Sequence, residues 1–249
     1  MPAPLNVLMY HSISDSGGPT SIPLETFRGQ IETLAACKYQ TISLGTFRDW
    51  QAGKTPVAAR SVVITFDDGF ADFADSAFQI LKAHAYTATV FLPSGKIGGV
   101  EDWDGNASLG RRLMSWSQVI DLARSGIEFG GHSVTHKDLT KLSQNELEHE
   151  VRECRDQIAQ KLGSTPLAFA PPYGRAEERE RTEIRKVFGV SVGTTLNRAD
   201  RDGDPYDVPR IEMHYFRDLH RWRDYLEGRA EWYLTTRRVM RNVRSLVTR

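Results

Sequence analysis

The chain has 249 residues, 40% hydrophobic and 26% charged, a balance that suits a globular protein with one full core and excludes a low-complexity or disordered chain. Its 32 basic and 32 acidic residues cancel, so no global field draws it to nucleic acid; a neutral or locally recognised partner fits better. No run of about 18 apolar residues is present to cross a bilayer.

In chain order, short β-rich runs alternate with helical ones. Leu5–Tyr10 (LNVLMY) predicts a strand, ended by the polar loop His11–Gly18. Leu24, Phe27, Ile31 and Leu34 recur at helical spacing over Leu24–Lys38. A strand at Tyr39–Ile42 and a helix at Leu44–Gly53 follow. Arg60–Phe66 (RSVVITF) is a nearly continuous apolar run that stops at Asp67-Asp68-Gly69, as a strand buried on both faces does. Helix Asp72–Ala85 and strand Thr87–Leu92 lead into a Gly-rich polar stretch from Pro93 to Arg112. Beyond it come helix Trp116–Ser125 and strand Ile127–Gly130. Ser143-Gln144-Asn145-Glu146 is a capping box opening a helix to about Leu162. Strand Leu167–Ala170, helix Ala176–Phe188, strand Val190–Thr194 and a short strand at Val208–Glu212 complete the series. The alternation predicts one α/β domain built on a parallel sheet, open or closed into a barrel, over residues 1–228.

Residues 229–249 differ in character. Val239, Met240, Val243, Leu246 and Val247 share one helical face, and Arg237, Arg238, Arg241, Arg244 and Arg249 dominate the rest. A basic amphipathic helix of this kind suits peripheral contact with an anionic membrane. The expectation given more weight is that its apolar face packs on its own domain or on a second copy. Cys37 and Cys154 are isolated thiols, and the opening MPAPLNVLMYHSIS has no basic segment before its short apolar run. Both features lead to the expectation of a cytoplasmic protein, peripheral at most to the inner face of the membrane.

Parallel α/β folds carry their chemistry at the C-terminal ends of the strands. Four polar clusters fall there: His11, Asp67-Asp68, His132–His136 and Pro172-Tyr173. Adjacent carboxylates repel unless a cation neutralises one, although Asp-Asp-Gly is also sound turn chemistry. His132 and His136, four residues apart, would converge if they lay on a helical turn. Two solvated loop histidines is the plainer reading of that spacing alone. Gly130 and Gly131 just upstream would let the backbone pass close to a site. Two histidines and one carboxylate together form a facial metal triad with open positions.

Thr65-Phe66-Asp67-Asp68-Gly69 taken with His132-Ser133-x-x-His136 resembles the polysaccharide deacetylase, or NodB-homology, family, across roughly Leu5 to Ile211. The resemblance implies a distorted (β/α) barrel, here with a C-terminal helical extension. It further implies one divalent metal, usually zinc, held by Asp68, His132 and His136, with Asp67 as general base. Pro171-Pro172-Tyr173-Gly174 matches the family's Pro-Tyr core, which makes the Tyr173 backbone N–H an oxyanion donor. The arginine many members carry before that core is missing, since the stretch reads Leu167-Ala168-Phe169-Ala170; Arg210 is the candidate replacement. For the general acid, Met9-Tyr10-His11-Ser12-Ile13 resembles the opening of the subgroup acting on poly-β-1,6-N-acetylglucosamine, which favours His11 over the late His214.

The implied activity is hydrolysis of an N-acetyl group from an amino-sugar glycan, with an N-acetylated saccharide as partner and release of acetate. The same residues would serve a formamido sugar, an O-acetyl ester or a cyclic amide, because one methyl group changes binding by only about 1–3 kcal/mol. Non-haem iron oxygenase chemistry leaves the second aspartate unused, and a carbohydrate-binding pseudoenzyme has no need of Asp67. Trp103 is a candidate sugar platform or a packing residue; Trp116 is read as packing.

Overall fold

The computed structural model describes residues 3–103 and 108–247, with side chains as far as Arg241. Its centre is β1 (Asn6–Tyr10), wholly buried, which pairs in parallel with β3 (Ser61–Phe66) from Asn6↔Val62 to Tyr10↔Phe66. On its other edge β1 pairs with β8 (Val208–Glu212), Leu8 opposite Ile211. From β3 the sheet continues through β4 (Thr89–Leu92), β5 (Glu128–Gly131), β6 (Ala168–Phe169) and β7 (Val190–Leu196) to β8, so seven parallel strands close on themselves. The expected distorted barrel is present. The predicted strand Tyr39–Ile42 shortens to β2 (Gln40–Thr41), which pairs only with the N-terminal end of β3, outside the closed ring.

Alternation along the strands sorts most of the core into two clusters, with a smaller third around Phe169, Leu147, Val151 and Phe188. Val7, Val63, Phe91, Ala168, Val190, Val192 and Val208 share one cluster with Leu44, Phe47 and Trp50 of α2 (Leu44–Gln51). That helix plugs the end of the barrel at which the strands begin, where the Leu44 N–H reaches Glu128, the first residue of β5. The opposite set, including Leu8, Tyr10, Ile64 and Phe66, packs with Phe27, Ile31 and Leu34 of α1 (Leu24–Ala36) and with other helices of the outer layer. Tyr10, Phe27 and Phe66 form an aromatic knot with centroids 5.1–5.8 Å apart, within the range of favourable ring pairs.

The remaining helices follow their caps. The Ser115 capping box opens α4 (Trp116–Arg124), and the predicted Ser143–Glu146 box opens α5 (Gln144–Leu162), which ends at left-handed Gly163. α6 spans Glu178–Arg185. Two features escape the periodicity argument. A π-helical turn, Phe73–Ala77, precedes α3 (Phe78–Ala83), so the predicted helix Asp72–Ala85 is not uniform. A helix absent from the sequence expectations, α7 (Leu219–Leu226), is capped by Asp218 and buries Trp222 against Phe216.

α8 (Glu231–Val247) corrects an expectation about its faces. Tyr233 and Leu234 are buried and belong to the outer-layer core, whereas Val239 and Met240 are 55% and 58% exposed. Val239 and Met240, assigned to the packing face, are therefore turned away from this chain's own core, where Arg237, Arg238 and Arg241 are half-buried; the exposed pair leaves packing on a second copy as the untested half of that expectation. The Tyr233 ring explains the inversion: it carries Arg221 and Arg237 over its face and donates its hydroxyl to the Tyr215 carbonyl. Side chains of Val243, Arg244, Leu246, Val247 and Arg249 lie outside the described residues. Among the described residues no helix is long and apolar enough to cross a membrane.

Candidate active site

The barrel's register assembles the site. Because Tyr10 sits opposite Phe66 and the Asp67 N–H bonds the Tyr10 carbonyl at 2.9 Å, the residue after β1 and the residue after β3 emerge side by side. His11 Nε2 consequently lies 3.9 Å from Asp67 Oδ2, beyond a direct hydrogen bond but within ion-pair range. Gly131 ends β5 and His132 follows it, while β6 delivers Ala170 beside His132.

Asp68, His132 and His136 converge. Both histidine Nε2 atoms lie 3.2 Å from Asp68 Oδ1, and the three candidate ligand atoms all fall within 4.8 Å of one another, each residue buried. His132 Nδ1 faces the Ala170 carbonyl at 2.6 Å; with the Nδ1–H donating there, Nε2 is left as the lone-pair donor. Three buried donors of this kind, one ring held in the ligating tautomer, fit a divalent cation.

The expected geometry of the histidine pair is wrong in one respect. His132–His136 is a loop and not a helical turn, and the rings converge because Ser133 (φ 62°) and His136 (φ 61°) adopt left-handed backbone. Glu150 of α5 holds that conformation. Its carboxylate, 4% exposed, accepts the Val134 and Thr135 N–H groups at 2.8 Å each and the Thr135 hydroxyl at 2.5 Å. The Ser133 hydroxyl accepts the His136 N–H at 2.9 Å. Sequence reasoning missed Glu150, yet a signal exists: a glutamate within the Leu147, Val151, Cys154 and Ile158 stripe that α5 buries. The two glycines serve packing instead of the site, since a Cβ on Gly130 would sit 2.6 Å from the Phe91 ring and 2.7 Å from the Ala168 carbonyl.

Asp67 has a different environment from its neighbour. Arg210, 1% exposed, grips it with two parallel bonds, Nη1 to Oδ1 at 2.7 Å and Nη2 to Oδ2 at 2.8 Å. The guanidinium is itself held by the Gly193 carbonyl (2.8 Å from Nε) and the Thr65 hydroxyl (3.1 Å from Nη1). A register shift between β7 and β8 falls around Gly193, where a side chain would run into Asp207. Burial pushes the Asp67 carboxyl up, but the charge and hydrogen bonds of Arg210, with smaller help from His11 and His132, hold it below the usual carboxylate range. Asp67 is thus a fixed anion. Burial likewise raises Asp68, and the hydrogen bonds from His132 and His136 carry it well below that range.

The other candidates can be placed. Tyr173 lies in a short turn, Pro172–Gly174, with φ 59° and its ring edge-on to His136 at 4.9 Å. His11, Asp67, Asp68, His132, His136 and Tyr173 line one cavity of about 220 Å³. His214 does not line it: it sits in the turn Met213–Phe216. Trp103 stacks on His136 with centroids 4.2 Å apart, so one face of its indole is already covered by a candidate ligand. Trp116 begins α4 and packs, as expected, against the outer-layer core. Two further residues were not anticipated. Asp72 accepts the Ser12 hydroxyl at 2.6 Å and the Ile13 N–H at 2.9 Å, pinning the loop after His11. Arg111 joins Glu101 at 2.6 Å and lies over the Phe70 ring, tying the Gly-rich stretch to Thr20 and Ser21.

Comparison with known proteins agrees with this picture. The family model described as polysaccharide deacetylase matches residues 54–191, more than half of the chain. The poly-β-1,6-N-acetyl-D-glucosamine N-deacetylase of Staphylococcus epidermidis is 28% identical over 203 residues, covering 77% of this chain and 67% of the relative. IcaB from Ammonifex degensii superposes with a TM-score of 0.76 at 20% identity, over 91% of this chain and 97% of its own. The Streptococcus pyogenes deacetylase PplD, solved in complex with acetate, gives 0.75 at 22% identity, over 85% and 93%. At such identities the two structures speak for the fold.

Proposed function

The chain belongs to the polysaccharide deacetylase family, and from that premise we propose that it hydrolyses N-acetyl groups on an amino-sugar glycan with one divalent metal, zinc in the first instance. Asp68, His132 and His136 would hold the ion, being the one cluster of three metal-ligating side chains among the described residues. Bound there, it would supply Lewis-acid polarisation of the acetamide and acidify a water. The observation that carries the reading is the paired grip of Arg210 on Asp67 beside that cluster, because a binding site alone has no use for a buried, oriented carboxylate.

The chain's own groups divide the remaining work. Asp67, fixed by Arg210, accepts the proton of the attacking water. The Tyr173 N–H donates to the oxygen that gains charge as the carbonyl becomes tetrahedral. His11 delivers a proton from Nε2 to the departing amine, which leaves poorly without one. Its place in the cavity wall favours it over His214. The name of the Staphylococcus epidermidis relative supports a polymer of N-acetylglucosamine as substrate.

The test is acetate release from an N-acetylated glucosamine oligomer by chelated and zinc-reloaded protein. Release that depends on the added metal supports the reading. Equal release after exhaustive chelation, or no release from any N-acetylated oligomer by the metal-loaded protein, removes it.

A further inference from the structure

We infer that a second, anion-binding hollow adjoins the catalytic cavity and selects glycans carrying a negatively charged substituent next to the sugar that is deacetylated. The inference rests on the deacetylase reading for the identity of its ligand. The hollow, about 180 Å³, lies between the C-terminal end of β7 and α8 and is lined by Thr194, Thr195, Leu196, Arg238 and Arg241. Thr194 and Arg241 also line the catalytic cavity, so a single saccharide could occupy both.

Charge sets this hollow apart. The catalytic centre answers its other guanidinium groups internally, Arg210 with Asp67 and Arg111 with Glu101. Arg238 and Arg241 have no ion pair with any carboxylate among the described residues, and none of the five lining side chains is acidic. Residues three apart on a helix share a face, so Arg238 and Arg241 border the same space, with Thr194 and Thr195 of β7 on its other side. That set of donors suits the oxygens of a carboxylate or phosphate. The turned-out apolar side of α8 is consistent with this: Tyr233 and Leu234 anchor the helix, while Val239 and Met240 stay exposed and leave the inward side to arginine. A formal charge of zero over the chain makes a local site of this kind the means of recognising an anion.

The probes are two tetrasaccharides, one alternating glucuronic acid with N-acetylglucosamine and one of N-acetylglucosamine alone. Titration calorimetry with the metal-loaded protein reads binding whether or not acetate is released, which separates failure of this inference from failure of the deacetylase reading. The acidic tetrasaccharide is expected to bind about tenfold more tightly than the neutral one, a margin typical of one or two charge-assisted bonds, and the margin narrows with added salt. Where turnover is measurable, the ratio of kcat/KM values should show the same preference. The double substitution R238Q/R241Q should collapse the ratio toward one, and R238K/R241K should restore most of it, showing that α8 has kept its place. Equal binding of the two tetrasaccharides by the unaltered protein overturns the inference. So does a preference that survives R238Q/R241Q. Tight binding of inorganic phosphate alone, with no advantage for the acidic tetrasaccharide, would make the hollow a site for a free anion and equally overturn it.

Discussion

At the scale of single residues, two adjacent aspartates sit in different chemical surroundings. Asp68 faces imidazoles and Asp67 faces a guanidinium. Asp67→Asn should therefore keep bound metal, measured by elemental analysis, while turnover falls about 10²- to 10⁴-fold, the usual worth of a general base. Simultaneous loss of metal would make Asp67 a ligand. Arg210→Met should cost more than its own contacts, because it strands a buried carboxylate; about 3–5 kcal/mol is expected from denaturant titration. Much of that should return in the double variant D67N/R210M, the non-additivity marking the pair. The sign of the pH effect follows from the lowered folded-state pKa of Asp67. Its stabilisation is present above the unfolded value, about 3.9, and is lost as pH falls through the folded value, so stability curves for the wild type and D67N should converge in acid. For the proton donor, His11→Ala should lose kcat with metal intact and His214→Ala should stay near wild type; the reverse ranking would assign the role to His214. The three candidate ligands and Asp67 were legible as residue types at strand ends, whereas Arg210, in the middle of β8, was reached only through the family resemblance. Their distances were not legible, since a register such as Tyr10↔Phe66 joins residues 56 positions apart.

At the scale of elements, the decisive piece is a loop held by a helix. His132 and His136 were legible as a pair, but the spacing suggested a helical turn, whereas left-handed Ser133 and His136 do the bending. Non-glycine residues hold such backbone only where surroundings over-determine it, and Glu150 supplies that constraint through three hydrogen bonds. Glu150→Ala removes the acceptor of two N–H groups and of the Thr135 hydroxyl. We expect metal affinity, read by competition with a chelating dye, to fall about 10- to 100-fold, as when a partner that orients ligands is lost. Unchanged affinity would mean that the loop keeps its shape without α5. The faces of α8 show a related limit of sequence periodicity. Its amphipathic pattern was plain, but which side meets the barrel depended on Tyr233 and its arginine and carbonyl partners, which come from α7 and from the turn after β8. Periodicity reports that a helix has two faces; the partners decide which one is buried.

At the scale of the whole molecule, the alternating β/α pattern carried the fold class, and closure was the part it left open. An open parallel sheet and a barrel share the same local signals, and the difference is a single non-local event: β1 inserting between β3 and β8. Loop-closure entropy resists pairings of this range until many contacts form together, so the barrel should fold as one unit. The two cysteines test this. Cys37 closes α1, which packs on the outer side of β1 and β3, and Cys154 lies on α5 with Sγ 3.7 Å from the Leu92 carbonyl at the end of β4. Both are buried free thiols, and burial pushes the Cys154 thiol up to about 11. Neither should react with a disulfide reagent at pH 8 in the native protein. With rising denaturant both should become reactive at one midpoint, the same midpoint as the loss of helical circular dichroism, if closure binds the two regions into one cooperative transition. Cys37→Ala and Cys154→Ala variants assign the signal to each position. Reaction of Cys37 at clearly lower denaturant would show that the α1 region opens ahead of the rest, and with it the loop that carries His11.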